Sequence, residues 1–531
     1  MTAIFENPIE ARRQVIQGEL DARQCPRERN RLGQFATPNS LAIEIARYVQ
    51  SILGRSFDKI CFADPSIGTG SFYSAVQTVF GPHRVRKAVG VELDAGFYKA
   101  ARDLWGRTGL EVIHGDFTRM AANVSRSASP NLIFANPPYV RHHHLSSADK
   151  DRLRTLVYRM TGVETSGLAG LYVYFLLLAT AWMEDHGCAA WLIPSEFMDV
   201  NYGMALKRFL TDQMTLIRVH RFDPNDTQFH DALVSSVILV FFKAPPPQGH
   251  VVEFTFGGML NAPHASDSIP VEQLRESRKW TIYPKHIKND RHISLDGEGP
   301  RLGDFFRIQR GIATGSNRFF VLGRKDAERH GLPNRYLRPI LPSPRHLKTS
   351  IIDTDETGYP LIDPQLCLID CDLSEQFVKK RHPKLWEYLQ TADTLGIREG
   401  YLIRKRTPWY KQERREPALF LCTYMGRGSD EKQPFRFIWN RSQAIGTNLY
   451  LMIYPQNVLG SMLRQHAERA AEVFSLLRRI TAHELRGEGR VYGGGLNKIE
   501  PKELARISAV EFVRQWPCLK SAIQRQEKLF G

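Results

Sequence analysis

The sequence predicts an α/β chain: a mostly parallel sheet with helices on both faces, followed by a mixed α+β region. Three observations predict it. Short apolar strands alternate with helical segments from residue 39 to 242, and that rhythm produces a parallel sheet covered on both sides. The run Ala244-Pro245-Pro246-Pro247-Gln248-Gly249 then reads as a linker. Beyond it the alternation gives way to strand-like pieces, long polar loops and aromatic-basic clusters. Domains are therefore expected at 1–244 and 245–531.

The elements follow in order. Residues 8–30 form a charged helix with Ile9, Val15, Ile16 and Leu20 on one side. Residues 39–53 follow Thr37-Pro38 and carry Leu41, Ile45 and Val49 at helical spacing. Lys59–Ala63 is a strand and Ser71–Phe80 a helix; Ala88–Leu93 is a strand and Ala95–Trp105 a helix. Strands at Leu110–His114 and Asn131–Ala135 come next, then an apolar helix at 171–184 and a strand at Cys188–Pro194. A helix at Met204–Gln213 precedes strands at 216–222 and 233–242, a pair suited to an antiparallel edge. A late helical stretch spans Ala467–Arg479.

Charge is uneven along the chain. Residues 1–243 hold 27 basic and 24 acidic side chains, whereas 244–531 hold 45 and 32, so a polyanionic partner is expected for the second half. Seven scattered cysteines, an odd number, argue against a disulfide framework. The longest apolar run, Leu171–Met183, is too short to span a bilayer, and the N-terminus lacks a signal-peptide core, so a cytoplasmic protein is expected.

Phe62-Ala63-Asp64-Pro65-Ser66-Ile67-Gly68-Thr69-Gly70-Ser71-Phe72 follows a strand and opens a helix. Gly68 and Gly70 let a ligand approach the backbone, and the helix start supplies free N–H groups. There is no Gly-Lys-Ser/Thr, so a phosphate-binding P-loop is not expected. Asp64 instead suits a ligand with a positive ammonium, such as S-adenosyl-L-methionine. Glu92, 22 residues past Gly70, ends the second strand, where an acid about 20 residues past a glycine loop bonds ribose hydroxyls. Asp116 and Phe117 end the third strand and can bond and stack on an adenine. Capping by the acids and core packing by Phe117 are the plainer alternatives.

Ile133-Phe134-Ala135 runs into Asn136-Pro137-Pro138-Tyr139. An exocyclic amino nitrogen is a poor nucleophile because its lone pair is delocalised into the ring. The side-chain oxygen of Asn136 and the carbonyl of Pro137 can each accept an N–H bond, favouring a tetrahedral nitrogen that faces a methyl donor. Tyr139 offers a stacking face.

With these motifs the chain resembles the gamma-class, TaqI-type N6-adenine DNA methyltransferases of restriction-modification systems. The order matches: the leading segment Gly33-Gln34-Phe35-Ala36-Thr37-Pro38, the glycine loop, the Asn136 tetrapeptide, then a recognition region. The resemblance implies a Rossmann-like, S-adenosyl-L-methionine-dependent catalytic domain and a C-terminal target-recognition domain. Thr37 would hold the methionine carboxylate, Asp64, Pro65, Ser66, Ile67 and Gly70 the methionine part, Glu92 the ribose, and Asp116 and Phe117 the adenine. Pro138 would line the methyl side, and Gly170-Leu171-Tyr172 with Phe175 would start a helix under the site. Gln228-Phe229-His230 carries the second aromatic, so Phe229 and Tyr139 would sandwich an adenine flipped out of duplex DNA. Leu302–Ile308, Gly311–Asn317, Arg436–Asn440 and Tyr492–Ile499 resemble segments of the recognition domain.

For DNA contact the candidates are Arg310 and Arg318 around the Gly311–Asn317 loop, and Arg490 and Lys498 around Gly493–Gly495. Trp409-Tyr410 beside Lys405, Arg406 and Lys411 is the aromatic-basic interleaving of nucleic-acid surfaces, or amphipathic packing. No metal is expected, because the adjacent His142, His143 and His144 cannot all face one ion and the chemistry needs none. About 30 residues precede Gly33, too few for a nuclease domain, so any cognate restriction endonuclease is expected to be a separate protein. A monomer, associated with the bacterial nucleoid through its DNA, is the expected form. The competing readings are a protein-glutamine N5 or RNA base methyltransferase, and a DNA-binding protein without activity.

Overall fold

In the computed structural model the described residues are 8–23, 25, 29, 32–54, 58–120, 129–223, 235–284, 299–427, 433–492 and 496–519. They form two compact units, one of residues 1–292 with 492–494 and one of residues 293–491 with 495–531.

The first unit runs α1 (Pro8–Arg23), α2 (Asn39–Leu53), β1 (Ile60–Asp64), α3 (Ser71–Phe80), β2 (Val85–Glu92), α4 (Ala95–Trp105), β3 (Leu110–His114) and α5 (Phe117–Met120). It continues through β4 (Leu132–Ala135), α6 (Ser147–Thr161), α7 (Leu171–Trp182), β5 (Cys188–Pro194), α8 (Met204–Asp212), β6 (Thr215–Arg221), β7 (Ser236–Phe242), β8 (Val251–Met259) and β9 (Ala262–Pro270). All nine strands join one sheet in the order β3-β2-β1-β4-β5-β7-β6-β8-β9. The first five strands are parallel, and β7 is antiparallel to both its neighbours.

Burial on both faces explains the unbroken apolar strands. On β4, Leu132 and Phe134 pack with α2, α3 and α4, while Ile133 and Ala135 point to the opposite cluster with α7. Period-two alternation thus feeds two cores rather than one core and solvent. Asp94 caps α4 by accepting from the Gly96 and Phe97 amides at 2.8 and 3.1 Å.

Two differences from the sequence reading have physical causes. The first unit extends past 244, because β8 pairs in parallel with β6 and β9 pairs with β8. Pro245–Pro247 cannot join a ladder, but here they carry the chain across β6 to the sheet's far side instead of linking domains. For the same reason the β6–β7 pair is not the edge: β8 covers β6, and β9 forms that edge.

The second unit is α+β. A five-stranded sheet takes the order β10 (Phe306–Arg310), β18 (Tyr450–Pro455), β15 (Phe420–Thr423), β17 (Phe437–Asn440), β13 (Ile351–Ile352). A three-stranded sheet joins β11 (Val321–Gly323), β14 (Leu366–Ile369) and β12 (Leu337–Ile340); another joins β16 (Met425–Arg427), β20 (Leu496–Lys498) and β19 (Arg490–Tyr492). One apolar cluster includes the helix Pro383–Thr394, and a second the helices Asn457–Gln465 and Ala470–Arg479.

Candidate active site

Strand order locates the site. From β1 the chain adds β2 and β3 on one side, then crosses to β4 on the other. The carboxyl ends of β1 and β4 therefore flank a topological switch point, where open α/β sheets bind ligands. Asp64 ends β1, Asn136 follows β4, Glu92 ends β2, and Asp116 follows β3.

The glycine loop is held from several directions. The Ile67 amide donates to Val91 O at 3.0 Å, and its side chain fills the space beside Gly90, where a Cβ would lie 2.8 Å from it. Gly70 has φ +92°, and a Cβ there would fall 2.4 Å from Trp105 Nε1. That indole donates to Thr69 O at 2.8 Å. Arg13 and Gln17 of α1 also reach this loop. Arg13 donates to Thr69 Oγ1 at 2.9 Å, and that hydroxyl donates to Gln17 Oε1 at 2.7 Å. Arg13 is itself buried and paired with Glu10 at 2.7 Å. Sequence reading did not single out Arg13 and Gln17; no local pattern marks a contact across 56 residues.

The acids divide into two kinds. Asp64 is buried, accepts only from Ser66 in the loop, and pairs with no Lys or Arg among the described residues. Burial pushes its carboxyl up to about 8, and Glu92 nearby adds to the rise. Glu92, likewise raised by burial, accepts from the Gly68 amide at 2.9 Å and the Asp94 amide at 2.8 Å. Asp116 accepts from the Thr118 amide and hydroxyl and lies 3.4 Å from Arg119, the arrangement of a helix cap. Phe117 is buried against Phe175 and Trp182, with centroids 5.3 and 5.9 Å away.

The leading segment and the Asn136 tetrapeptide are built onto each other. Gly33 has φ +63°, its carbonyl accepts from the Tyr139 amide at 2.9 Å, and a Cβ there would lie 2.3 Å from Tyr139 N. Asn136 Nδ2 donates to Phe35 O at 2.8 Å and to Thr37 Oγ1 at 3.0 Å. A backbone carbonyl can only accept, so the amide orientation is fixed and Oδ1 faces away from these partners. Among the described residues nothing donates to Asn136 Oδ1 or to the Pro137 carbonyl. Ser66 Oγ donates to Asn136 O at 3.1 Å, tying the glycine loop to the tetrapeptide. Thr37 is buried, and its carbonyl accepts from Ser71 Oγ at 2.9 Å. Pro65 is buried and Pro138 half-buried beside these groups. Tyr139 is 7% exposed; its hydroxyl donates to Leu192 O at 3.2 Å, and Phe35 lies 5.6 Å from its ring. Phe229 lies outside the described residues.

Residues 122–229 match the family model of the Eco57I restriction-modification methylase, and residues 277–527 match the C-terminal domain of the Type II methyltransferase M.Eco57I. Both models describe Eco57I-type restriction-modification methylases, which this chain resembles in two separate stretches. The chain is 28% identical to Type II methyltransferase M.XamI of Xanthomonas campestris pv. amaranthicola over 90% of this chain and 85% of that one. Identity to Type II methyltransferase M.AccI of Acinetobacter calcoaceticus is 24%, again over 90% and 85%. The structure of the Type IIL restriction-modification enzyme MmeI in complex with DNA shares the fold at TM-score 0.55 and 12% identity, over 83% of this chain. The chain spans 65% of that larger protein.

The predicted cations lie in the second unit, and the structure separates them. Arg318 is exposed and forms no ion pair among the described residues. Arg310 stacks 4.0 Å over the Tyr424 ring and donates to Asn448 O at 3.3 Å. Lys498 lies 5.2 Å from the same ring and pairs with Glu500 at 3.0 Å. Arg490 is bound to the buried Glu503 at 2.8 Å. Trp409 and Tyr410 are buried, so amphipathic packing accounts for that pair.

Proposed function

We propose that this protein transfers a methyl group from S-adenosyl-L-methionine to N6 of an adenine extruded from duplex DNA, at a specific sequence, as the protective partner of a separate restriction endonuclease. The observation that carries the reading is the locked amide of Asn136. Its donor is consumed by Phe35 O and Thr37 Oγ1, which leaves Oδ1 and the Pro137 carbonyl as acceptors for the two hydrogens of an amino group.

The residues present fit the cofactor. Asp64, a buried carboxylate with no cation beside it among the described residues, suits an ammonium group, and Glu92 keeps lone pairs for ribose hydroxyls after accepting two amides. Bound S-adenosyl-L-methionine supplies an electrophilic methyl on a sulfonium. Asn136 Oδ1 and Pro137 O would draw the amino hydrogens out of the ring plane, which favours a tetrahedral nitrogen whose lone pair leaves conjugation and faces the methyl donor. Preorganised acceptors lower the barrier without a strong base. Tyr139, held by Leu192 O and Phe35, keeps its ring plane fixed for the substrate base, with Phe229 as the second face. The basic second half would hold the duplex.

The test is single-molecule sequencing of DNA from a methylation-deficient bacterium expressing the chain, beside Asn136→Ala. N6-methyladenine in one sequence context, absent from the variant, is the expected result. A soluble protein that leaves no mark on DNA, or marks RNA or a glutamine side chain instead, overturns the reading.

A further inference from the structure

We infer that a rim of the second unit, formed by Gly315–Arg318 and Tyr401–Lys405, is a duplex-DNA contact in which Tyr401 wedges against a base step while Arg318 and Arg404 hold phosphates. The inference rests on the DNA-methyltransferase reading for the identity of the partner and goes beyond it in naming the surface.

The tip is apolar and exposed. Tyr401 is 68% exposed and Leu402 42%, next to the fully buried Ile403. It is also rigid. The Ile403 and Arg404 amides donate to Gly400 O at 2.9 and 3.0 Å, and the Arg406 amide to Ile403 O at 3.0 Å. Gly315 has φ +86°, and a Cβ there would lie 2.8 Å from Ile403 Cγ1, so the two loops are in direct contact. Arg406 joins them again, donating to Thr314 O at 2.8 Å and Ala313 O at 2.6 Å. An aromatic held this way loses little freedom on binding.

The charges point to a polyanion. Arg318 and Arg404 are exposed, and neither pairs with a carboxylate among the described residues. Lys405 donates to the Tyr401 hydroxyl at 2.7 Å and sits 4.2 Å over its ring. On the acidic side, Asp393 is neutralised by Arg398 at 2.8 Å, which leaves the exposed Glu399. An anchored, exposed Tyr401–Leu402 tip beside exposed guanidinium groups can wedge against base steps of a duplex while the guanidinium groups neutralise phosphates. With Trp409 and Tyr410 buried, Tyr401 is the aromatic this basic segment offers to solvent.

The experiment titrates the full-length protein against a fluorescein-labelled random-sequence duplex over a salt series. Arg318→Ala with Arg404→Ala is expected to reduce the slope of log K against log salt by about 2, near 0.9 per phosphate. Tyr401→Ala should weaken binding about tenfold, and Tyr401→Phe should retain it. Lys384→Ala, which removes an exposed cation paired with Glu387, should leave the slope unchanged. Unaltered melting temperatures would show that the variants fold. An unchanged slope in the double arginine variant, or full affinity in Tyr401→Ala, overturns the inference. Duplex binding that depends on this rim without methylation of any DNA would overturn the proposed function and leave the rim standing.

Discussion

At the first unit's crevice Asp64 and Glu92 are carboxylates raised by burial, and among the described residues no Lys or Arg pairs with either. In the second unit, guanidinium groups carry the loops: Arg406 holds Ala313 O and Thr314 O, and Arg310 spans Tyr424 and Asn448 O. On the proposed reading, one region leaves the positive charge to its ligand, and the other supplies it. A carboxylate buried without a cation costs stability until a cationic ligand arrives, whereas an arginine already bonded to carbonyls supports the fold whether or not DNA is present. The difference separates groups kept for a ligand from groups kept for the structure.

The largest effect that would test this contrast is at Asn136. Asn136→Ala removes both bonds to the leading segment and, in the proposed reaction, one acceptor for the substrate amine. A fall in kcat of about 10²–10³-fold or more is expected, by analogy with removing one preorganised polar partner from a reaction centre. Asn136→Asp should do no better. It restores an acceptor but sets a carboxylate oxygen against the Phe35 carbonyl. Single-turnover methylation rates decide; near-normal chemistry in either variant would show that the amide is only a structural tie.

Asp64 gives the next effect, and its sign depends on pH. In the ligand-free protein burial raises the carboxyl from an ordinary 3.8 to about 8. The folded state therefore binds the extra proton, and stability falls as pH rises between those values. Asp64→Asn should melt higher than the natural protein above about pH 8 and show no such slope. Cofactor binding should run the other way. If the ammonium requires the carboxylate, affinity rises by up to about tenfold per pH unit toward about 8 and then stops rising as the ammonium itself loses its proton, and the rise is absent in Asp64→Asn. Calorimetry across pH measures both arms, and a pH-independent affinity in the natural protein would break the comparison.

Thr69→Val is a smaller perturbation. It removes the hydroxyl that joins Arg13 and Gln17 to the glycine loop while leaving the Glu10–Arg13 pair intact. The loss of about 1 kcal/mol of loop anchoring should raise KM for the cofactor about fivefold with kcat unchanged. An equal fall in kcat, or a drop in melting temperature alone, would assign α1 to the fold and not to the loop.

Much of this architecture could be read before the structure, and the failures share a cause. Ser71–Phe80, Ala95–Trp105, Leu110–His114 and Cys188–Pro194 have the bounds expected from periodicity, because each packs an apolar stripe or run against the core. The Asn136 tetrapeptide and the glycine loop were visible because strand ends in this fold point their residues at one crevice. The helix Ser147–Thr161 was missed; only Leu153 and Val157 are buried along it, too thin a stripe to stand out. The bounds of the first unit were misjudged because a proline run marks a break in hydrogen bonding, not the distant strand that the chain rejoins. Arg13, Gln17 and the Phe35 carbonyl act across long separations or through backbone atoms, which leave no local pattern. The same limit applies to the cations. Arg318 and Arg490 look alike in sequence, and only their partners tell them apart.

That pair gives the subtlest prediction. Arg490 contacts Glu503 through both Nε and a terminal nitrogen, at 2.9 and 2.8 Å. Removing it takes the guanidinium from a buried carboxylate and leaves it the Glu500 amide at 2.8 Å. Arg490→Ala should therefore destabilise the protein by on the order of 2 kcal/mol, between the values for exposed and fully buried pairs. Its effect on the salt dependence of DNA binding should be nil. Arg318→Ala should show the reverse, with an unchanged melting temperature and a salt slope lower by about 0.9. Urea unfolding and DNA titration on the two single variants measure this crossing. If Arg490→Ala reduced the salt slope while the melt stayed fixed, its charge would face the duplex, and an ion pair to a buried acid would not mark a cation as structural.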